Sequence, residues 1–335
     1  MQRRISRRRF LGAVAAGTAV VSLTACGHGT MLHAAGAGGE FPSQDIEFII
    51  PTAPGGSHDT LSRIIAQGLQ DELDVNVTPV NKPGAGSTIG MRLIADADDP
   101  YRIGLLPGNV LEVRGLTVEE NNPLGVEDFT VISGITVEDV VVYASPEAGI
   151  ENAQDLLELD QEVIHFASAG PGTTTGTGLM LFMEHLPTRV VEVPFEGGGP
   201  AKTAVLGGQL PIGAAHPGEL IPDVEAGDLI PLVVLGTERN EAFPDVPTAQ
   251  ELGFDMDLQQ RRVFVGPPGM DEEVRELLER LGQEAAQSEE ALATLDQWAM
   301  ELELDAGPEA AENIVERTDG YVQLVQDLGV DLHDN

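Results

Sequence analysis

The stretch Ile49-Ile50-Pro51-Thr52-Ala53-Pro54-Gly55-Gly56-Ser57-His58-Asp59 decides how the chain is read. Apolar residues at Ile46, Phe48 and Ile50 predict a strand by their two-residue period, and a Pro/Gly turn breaks it. Leu61, Ile64, Ile65 and Leu69 then recur at helical spacing. Strand, glycine turn and helix start together make a common α/β device for holding an anion. Glycine lets backbone N–H groups approach the ligand, and the helix start carries about half a positive charge. A plain N-cap at Ser57 or Asp59 explains the same residues as well, so the stretch alone leaves both readings open.

The unit repeats. A second strand over 75–80 runs into Asn81-Lys82-Pro83-Gly84-Ala85-Gly86-Ser87-Thr88-Ile89-Gly90, a second glycine turn opening a helix through Met91, Leu93 and Ile94. It is not a dinucleotide fingerprint, because Ile89 stands where G-x-G-x-x-G needs its third glycine and no acidic residue is suitably placed. With a third strand at 103–106, these units predict a parallel sheet whose strand ends face one crevice. A second set follows: strands at 139–143, 163–167, 190–193, 212–215 and 230–235, with helices near 152–159, 173–184, 200–206 and 219–226. A third glycine turn, Ser168-Ala169-Gly170-Pro171-Gly172-Thr173-Thr174, follows the strand at 163–167. Residues 262–266 bring the chain back to the first domain. Residues 271–327, with Val274, Leu277, Leu278 and Leu281 on one stripe, read as mostly helical. The expected organisation is α/β with two lobes: domain 1 from 44–143 and 259–335, domain 2 from 144–258. Two connections between them suit a hinge between the lobes.

The N-terminus reads as an address. Ser6-Arg7-Arg8-Arg9-Phe10-Leu11 is of twin-arginine export type, and Leu23-Thr24-Ala25-Cys26 follows an apolar run as a lipoprotein cleavage box. The run is shorter than the roughly 18–20 residues that spanning a bilayer needs. Cys26, the single cysteine, is thus expected to carry a lipid, with 1–26 a signal peptide and 27–43 a flexible tether. The chain has 18 Lys+Arg against 55 Asp+Glu, net −37. Setting the five leader arginines aside takes the mature part to about −42. Acid spread along a chain with a 42% hydrophobic fraction points to a folded, strongly solvated surface of the kind that tolerates high salt, and argues against nucleic acid as a partner.

Catalytic signals are few. No G-x-S-x-G elbow, P-loop or H-E-x-x-H occurs, and the seven histidines show no metal spacing. A hydrolase built on Ser57 and His58 is one alternative, although neighbours at a helix start point apart and no oriented acid is evident. A structural surface lipoprotein is another. Arg262, in Gln260-Arg261-Arg262-Val263, reads either as a bidentate carboxylate clamp or as a structural salt bridge between domains.

The segments at 50–59 and 81–90 resemble the first two motifs of the extracytoplasmic solute receptors of tripartite tricarboxylate transporters, P-x-A-P-G-G-x-x-D and N-x-P-G-A-G. The resemblance continues in order through 165–173, Val193-Pro194-Phe195-Glu196-Gly197, Leu206-Gly207-Gly208-Gln209, Pro244-Asp245-Val246-Pro247-Thr248 and Val265-Gly266-Pro267-Pro268-Gly269, spanning the mature chain. It implies a type II-like periplasmic-binding-protein fold and a monomeric receptor. That receptor needs no cofactor or metal, takes a small organic carboxylate, and passes it to membrane permease subunits. It further implies ligand contacts at Pro54, Gly55, Gly56, Ser57, His58 and Asp59. Ala85, Gly86 and Ser87 would join them on the same lobe. Ser168, Ala169, Gly170, Gly172, Thr173 and Thr174 would face them from the other lobe, with Ala215, His216 and Arg262 completing the set. The chain departs from the pattern where Pro211, Ala215 and His216 replace an Asp and an Asp-Asn pair, where Gly176 replaces a histidine, where Glu196 replaces a common lysine, and at His58. His58 and His216 are expected as contacts peculiar to this chain.

Overall fold

The computed structural model describes residues 41–113, 124–170, 172–195 and 197–329. The leader with Cys26, the tether up to residue 40, and Pro171 and Glu196 lie outside these residues.

Sheet one has the order β11-β4-β10-β3-β1-β2. The parallel strands are β1 (Ile46–Ile50), β2 (Val77–Asn81) and β3 (Arg102–Pro107). The strand β10 (Gln260–Gly266) runs antiparallel between β3 and β4 (Thr130–Glu138), and β11 (Glu301–Leu302) adds a short edge. Sheet two has the order β7-β6-β8-β5-β9. Here β6 (Val163–Ser168) pairs in parallel with β7 (Arg189–Pro194) and β8 (Ile212–Ala215). The strand β5 (Val141–Ala144) runs antiparallel between β8 and β9 (Ile230–Val234).

The helix α1 (Ser57–Leu73) starts after an extended Gly56 and stops where Asp74 turns left-handed. Its stripe of Leu61, Ile65 and Leu69 is fully buried against Phe48, Leu105 and Phe264 of sheet one, each such side chain contributing about 1.5–3 kcal/mol. On the same lobe α2 (Thr88–Ala95) follows β2 and α3 (Asn109–Glu112) follows β3, whereas α4 (Ala153–Leu157) packs its Ala153 and Leu156 into the core of the second lobe. The second lobe carries α5 (Thr174–Met183), α6 (Gly198–Leu206) and α7 (Pro217–Ala226). The C-terminal helices are α8 (Glu272–Ala286), α9 (Glu289–Trp298) and α10 (Gly307–Leu328). Gly68 lets α1 and α8 approach closely: a Cβ there would lie 2.5 Å from the Ala285 Cβ.

Two boundaries differ from the sequence reading. The strand predicted at 139–143 as the end of domain 1 is β5, which pairs wholly within sheet two, so the crossover falls at Glu138–Asp139–Val140. The C-terminal helix is not confined to domain 1. Its Ala310 and Ile314 pack on Val131 and Val265, whereas Tyr321, Leu324, Val325 and Leu328 pack on the second-lobe core with Phe182 and Leu258. The strand β4 was not anticipated at all. Ser133 and Thr136 are buried within it and Gly134 interrupts it, so no apolar alternation marks it.

Candidate functional site

All three glycine turns sit at the carboxyl ends of parallel strands, where α/β sheets present ligand crevices: one after β1, one after β2 and one after β6. The first turn is latched by its own motif. Asp59 accepts from the Gly55 N–H (2.9 Å), from Asn81 Nδ2 (2.8 Å) and from Arg63 Nε (3.1 Å), and Arg63 also donates to Asn81 Oδ1. Burial pushes the Asp59 carboxyl up, but these bonds from Arg63, Asn81 and Gly55 outweigh it and hold the group below its usual range. Asp59 and Asn81, the closing and opening residues of the two motifs, therefore bind each other and fix one turn against the next. Predicted as a ligand contact, Asp59 is fully engaged as a strut.

With the turn held, the first N–H groups of α1, at Ser57, His58 and Asp59, have no partner among the described residues, and no side chain caps the helix. Gly55 and Gly56 are exposed in front of them, as is Pro54. The second turn is exposed at Ala85 and Gly86. Four consecutive residues there have positive φ, including Ala85 (47°) and Ser87 (76°), a strain that structures keep mainly at working sites. The third turn is buried and tightly tied. Ser168 Oγ accepts from the Gly170 N–H (2.8 Å), Thr173 Oγ1 donates to the Gly170 carbonyl (2.8 Å) and caps α5 at Gly176 N–H (3.0 Å), and Ala169 and Gly172 are buried beside them. A Cβ at Gly176 would lie 2.4 Å from the Gly170 carbonyl oxygen, so the packed turn leaves no room for a histidine there.

The lobes meet at this turn. Asn109 Nδ2, at the start of α3, donates to the Gly172 carbonyl across the cleft (3.1 Å). Gln260 Nε2 donates to Asn109 Oδ1 (3.1 Å), and Thr174 Oγ1 donates to Gln260 Oε1 (2.7 Å). The crossover is pinned beside it: Asp139 accepts from Gln259 Nε2 and from Asn240 Nδ2, both at 2.8 Å.

Arg262 fits neither of the two expected roles as stated. Its Nη2 donates to Glu138 Oε2 of the neighbouring strand (2.8 Å) and to Ser57 Oγ at the start of α1 (2.9 Å); Nη1 lies 3.4 Å from Thr136 Oγ1. The ion pair lies within sheet one rather than between domains, with side chains only 4% and 1% exposed. His216, at the end of β8, donates through Nδ1 to the Asp139 carbonyl (2.9 Å) and stands 3.8 Å from Glu138 Oε2; Ala215 is buried behind it. His58 turns the other way, its Nε2 donating to the Leu105 carbonyl inside the lobe (2.9 Å). Burial, followed by the Arg262 charge, lowers its pKa to about 3, so the ring is neutral. The Ser57 hydroxyl is directed to Arg262 and the His58 ring to Leu105, so this pair is not arranged as nucleophile and base.

A pocket of about 440 Å³ lies elsewhere, lined among others by His185, Asp255, Asp257, Arg317, Tyr321 and Asp327. Its three acids make it a poor place for an anion.

A family model described as the tripartite tricarboxylate transporter family receptor matches residues 61–330. The chain belongs to this family. Protein BugT of Bordetella pertussis is 29% identical over 254 residues, 74% of this chain and 78% of the relative. MatC from Rhodopseudomonas palustris, solved with bound malate, aligns with a TM-score of 0.74 at 22% identity, covering 85% of this chain and 100% of that one. The periplasmic binding protein BugD aligns at 0.72 and 21% identity, covering 87% and 99%. At these identities the two structures speak for the fold, which is that of the periplasmic binding proteins.

In this tripartite tricarboxylate transporter receptor, four residues that the structure ties to the candidate site escaped the sequence reading: Glu138, Thr136, Asn109 and Gln260. For Glu138 a signal existed. Glu138-Asp139 is an acidic pair inside the apolar run from Val131 to Ala144, where solvated charge has no reason to sit. Asn109 and Gln260 carry no such mark; only the meeting of the lobes makes them matter.

Proposed function

We propose that the protein is an extracytoplasmic receptor that captures a small organic carboxylate between its lobes and hands it to the membrane permease subunits of a tripartite tricarboxylate transporter. The observation that carries this reading is the open start of α1. Its three free N–H groups lie beside Ser57 Oγ and Arg262, at the carboxyl edge of sheet one. Such a terminus holds an anion by hydrogen bonds and by the helix dipole together. Across the cleft the third turn adds the start of α5, whose Thr174 and Thr175 N–H groups also have no partner among the described residues. Exposed Gly55, Gly56, Ala85 and Gly86 form the entrance. Closure about the two crossovers buries the ligand and presents one shape to the permease. The MatC structure, with its bound malate, is a carboxylate complex on the same fold. In this reading Pro54, Ser87, Ala169, Gly170, Ala215 and His216 line the cleft, and the side chains of His58 and Asp59 hold the first turn in shape while their N–H groups stay open to the ligand.

The leader supports export by the twin-arginine route and a lipid on Cys26 that tethers a monomeric receptor to the outer face of the membrane. No cofactor takes part, and the ligand leaves unaltered.

A thermal-shift screen of organic acids in molar salt tests the reading. The expected result is a concentration-dependent rise in melting temperature with a small set of carboxylates, with each acid recovered unchanged by NMR. A flat response to all of them, or turnover of one, refutes it.

A further inference from the structure

We propose that the cleft selects a singly charged carboxylate, and that Glu138 is the residue that turns a second carboxylate away. This rests on the reading of the cleft as a carboxylate site. The Arg262 guanidinium reaches the start of α1 through Ser57 Oγ, 2.9 Å from its Nη2, while the guanidinium of Arg63 is spent on Asp59. Arg262 stands there with its charge already compensated: Glu138 Oε2 is 2.8 Å from Nη2, and both side chains are almost wholly buried. Glu138 cannot easily leave, because it is the last residue of β4, paired in register with Gln260 of β10, and the next residue, Asp139, is pinned by Gln259 and Asn240. Nor does His216 supply a substitute cation partner. Its Nδ1 is spent on the Asp139 carbonyl, and it approaches Glu138 no closer than 3.8 Å.

At the Arg262 end of the cleft, what attracts an anion is the open start of α1, aided by that of α5, each worth about half a charge and confined to its first turn. That suits one carboxylate. A second carboxylate seeking Arg262 must displace Glu138, which leaves a buried carboxylate without its counter-ion beside a like charge. The chain as a whole, at net −37, also opposes entry of a dianion more than of a monoanion. A neutral oxygen meets no such barrier. The Arg262 Nε–H is buried with no acceptor among the described residues, so a ligand hydroxyl or carbonyl that reaches it satisfies a donor while the ion pair stays intact. The substrate class is therefore a monocarboxylate, unlike the dicarboxylate malate held by MatC.

The test uses matched acids on the exported protein in molar salt at pH 7.5: butanoate against butanedioate, hexanoate against hexanedioate, and benzoate against terephthalate, each by calorimetry. For the wild type, the monoacid is expected to bind at least tenfold tighter than its diacid in whichever pair binds. In Glu138→Gln, which frees Arg262 while keeping the shape of the side chain, the ratio of diacid to monoacid affinity is expected to rise tenfold or more. A diacid bound as tightly as its monoacid by the wild type overturns the proposal, as does a smaller change of ratio in the variant. If Glu138→Gln does not fold, the wild-type series decides alone. Binding of neither kind of acid refutes the carboxylate reading itself, whereas a preference for diacids refutes only the charge selection.

Discussion

His58 links the first turn to the stability of the lobe, and its contribution can be isolated by pH. The ring is 8% exposed, its Nε2 donates to the Leu105 carbonyl, and burial together with the Arg262 charge lowers its pKa to about 3. In the unfolded chain the same ring titrates near 6.5. Above pH 6.5 both states are neutral and nothing is lost. Between 6.5 and about 3 the unfolded chain takes up a proton that the folded one refuses, so stability falls as pH falls, by about 1.4 kcal/mol per unit. From pH 7.5 to pH 5.0 this amounts to about 2 kcal/mol. Other groups titrate over the same range with the opposite sign. Burial raises the carboxyls of Glu112 and Asp257, for example, and acid relieves the repulsion among surface carboxylates. The comparison must therefore be with His58→Gln, which keeps a side-chain donor and removes the titration. Urea unfolding of both proteins at the two pH values in 2 M potassium chloride is expected to show the wild type losing about 2 kcal/mol more than the variant. Losses equal within about 0.5 kcal/mol would show that the ring titrates freely, and would refute its placement inside the lobe.

The contact between lobes makes a second prediction. Asn109→Leu removes the bond to the Gly172 carbonyl and leaves Gln260 Nε2 short of a partner, which at about 1–3 kcal/mol should weaken ligand binding by roughly 5- to 150-fold. Small-angle scattering should show the ligand-induced compaction reduced; the same affinity and compaction as in the wild type would count against the Asn109–Gly172 bond as a tie between the lobes. The acidic surface makes a third. With a Debye length of about 3 Å at 1 M salt and about 10 Å at 0.1 M, compact structure should be lost on dilution of salt, and circular dichroism and melting unchanged down to about 50 mM would contradict it.

The strand–turn–helix repeats were legible because their physics is local. Apolar alternation at Ile46, Phe48 and Ile50, followed by Gly55-Gly56 and the stripe from Leu61, determines β1, the turn and α1 with little help from elsewhere. The same holds for β6, the third turn and α5. What escaped is nonlocal. The strand β4 is defined by the two strands that flank it rather than by its own pattern, and the same-sheet pairing of Arg262 with Glu138 exists only because β10 returns antiparallel beside β4. His58 and Asp59 were visible as members of the motif, but the direction of each side chain, one to Leu105 and one to Asn81, depends on what packs behind the turn. The motif residues thus mark three turns at the carboxyl ends of strands, while leaving open which of them face the cleft. Gly176, where the family pattern has a histidine, shows the same dependence on packing: the Gly170 carbonyl lies too close for a side chain there.

The most direct measurement is a crystal structure of the receptor grown in high salt with the tightest acid from the melting screen. The expected result is closed lobes with the ligand carboxylate on the N–H groups of Ser57 and His58, within reach of the third turn, and the Arg262–Glu138 pair still in place. A ligand seated behind the crossovers, in the pocket between Asp257 and Arg317, or one whose carboxylate lies away from the start of α1, would contradict it.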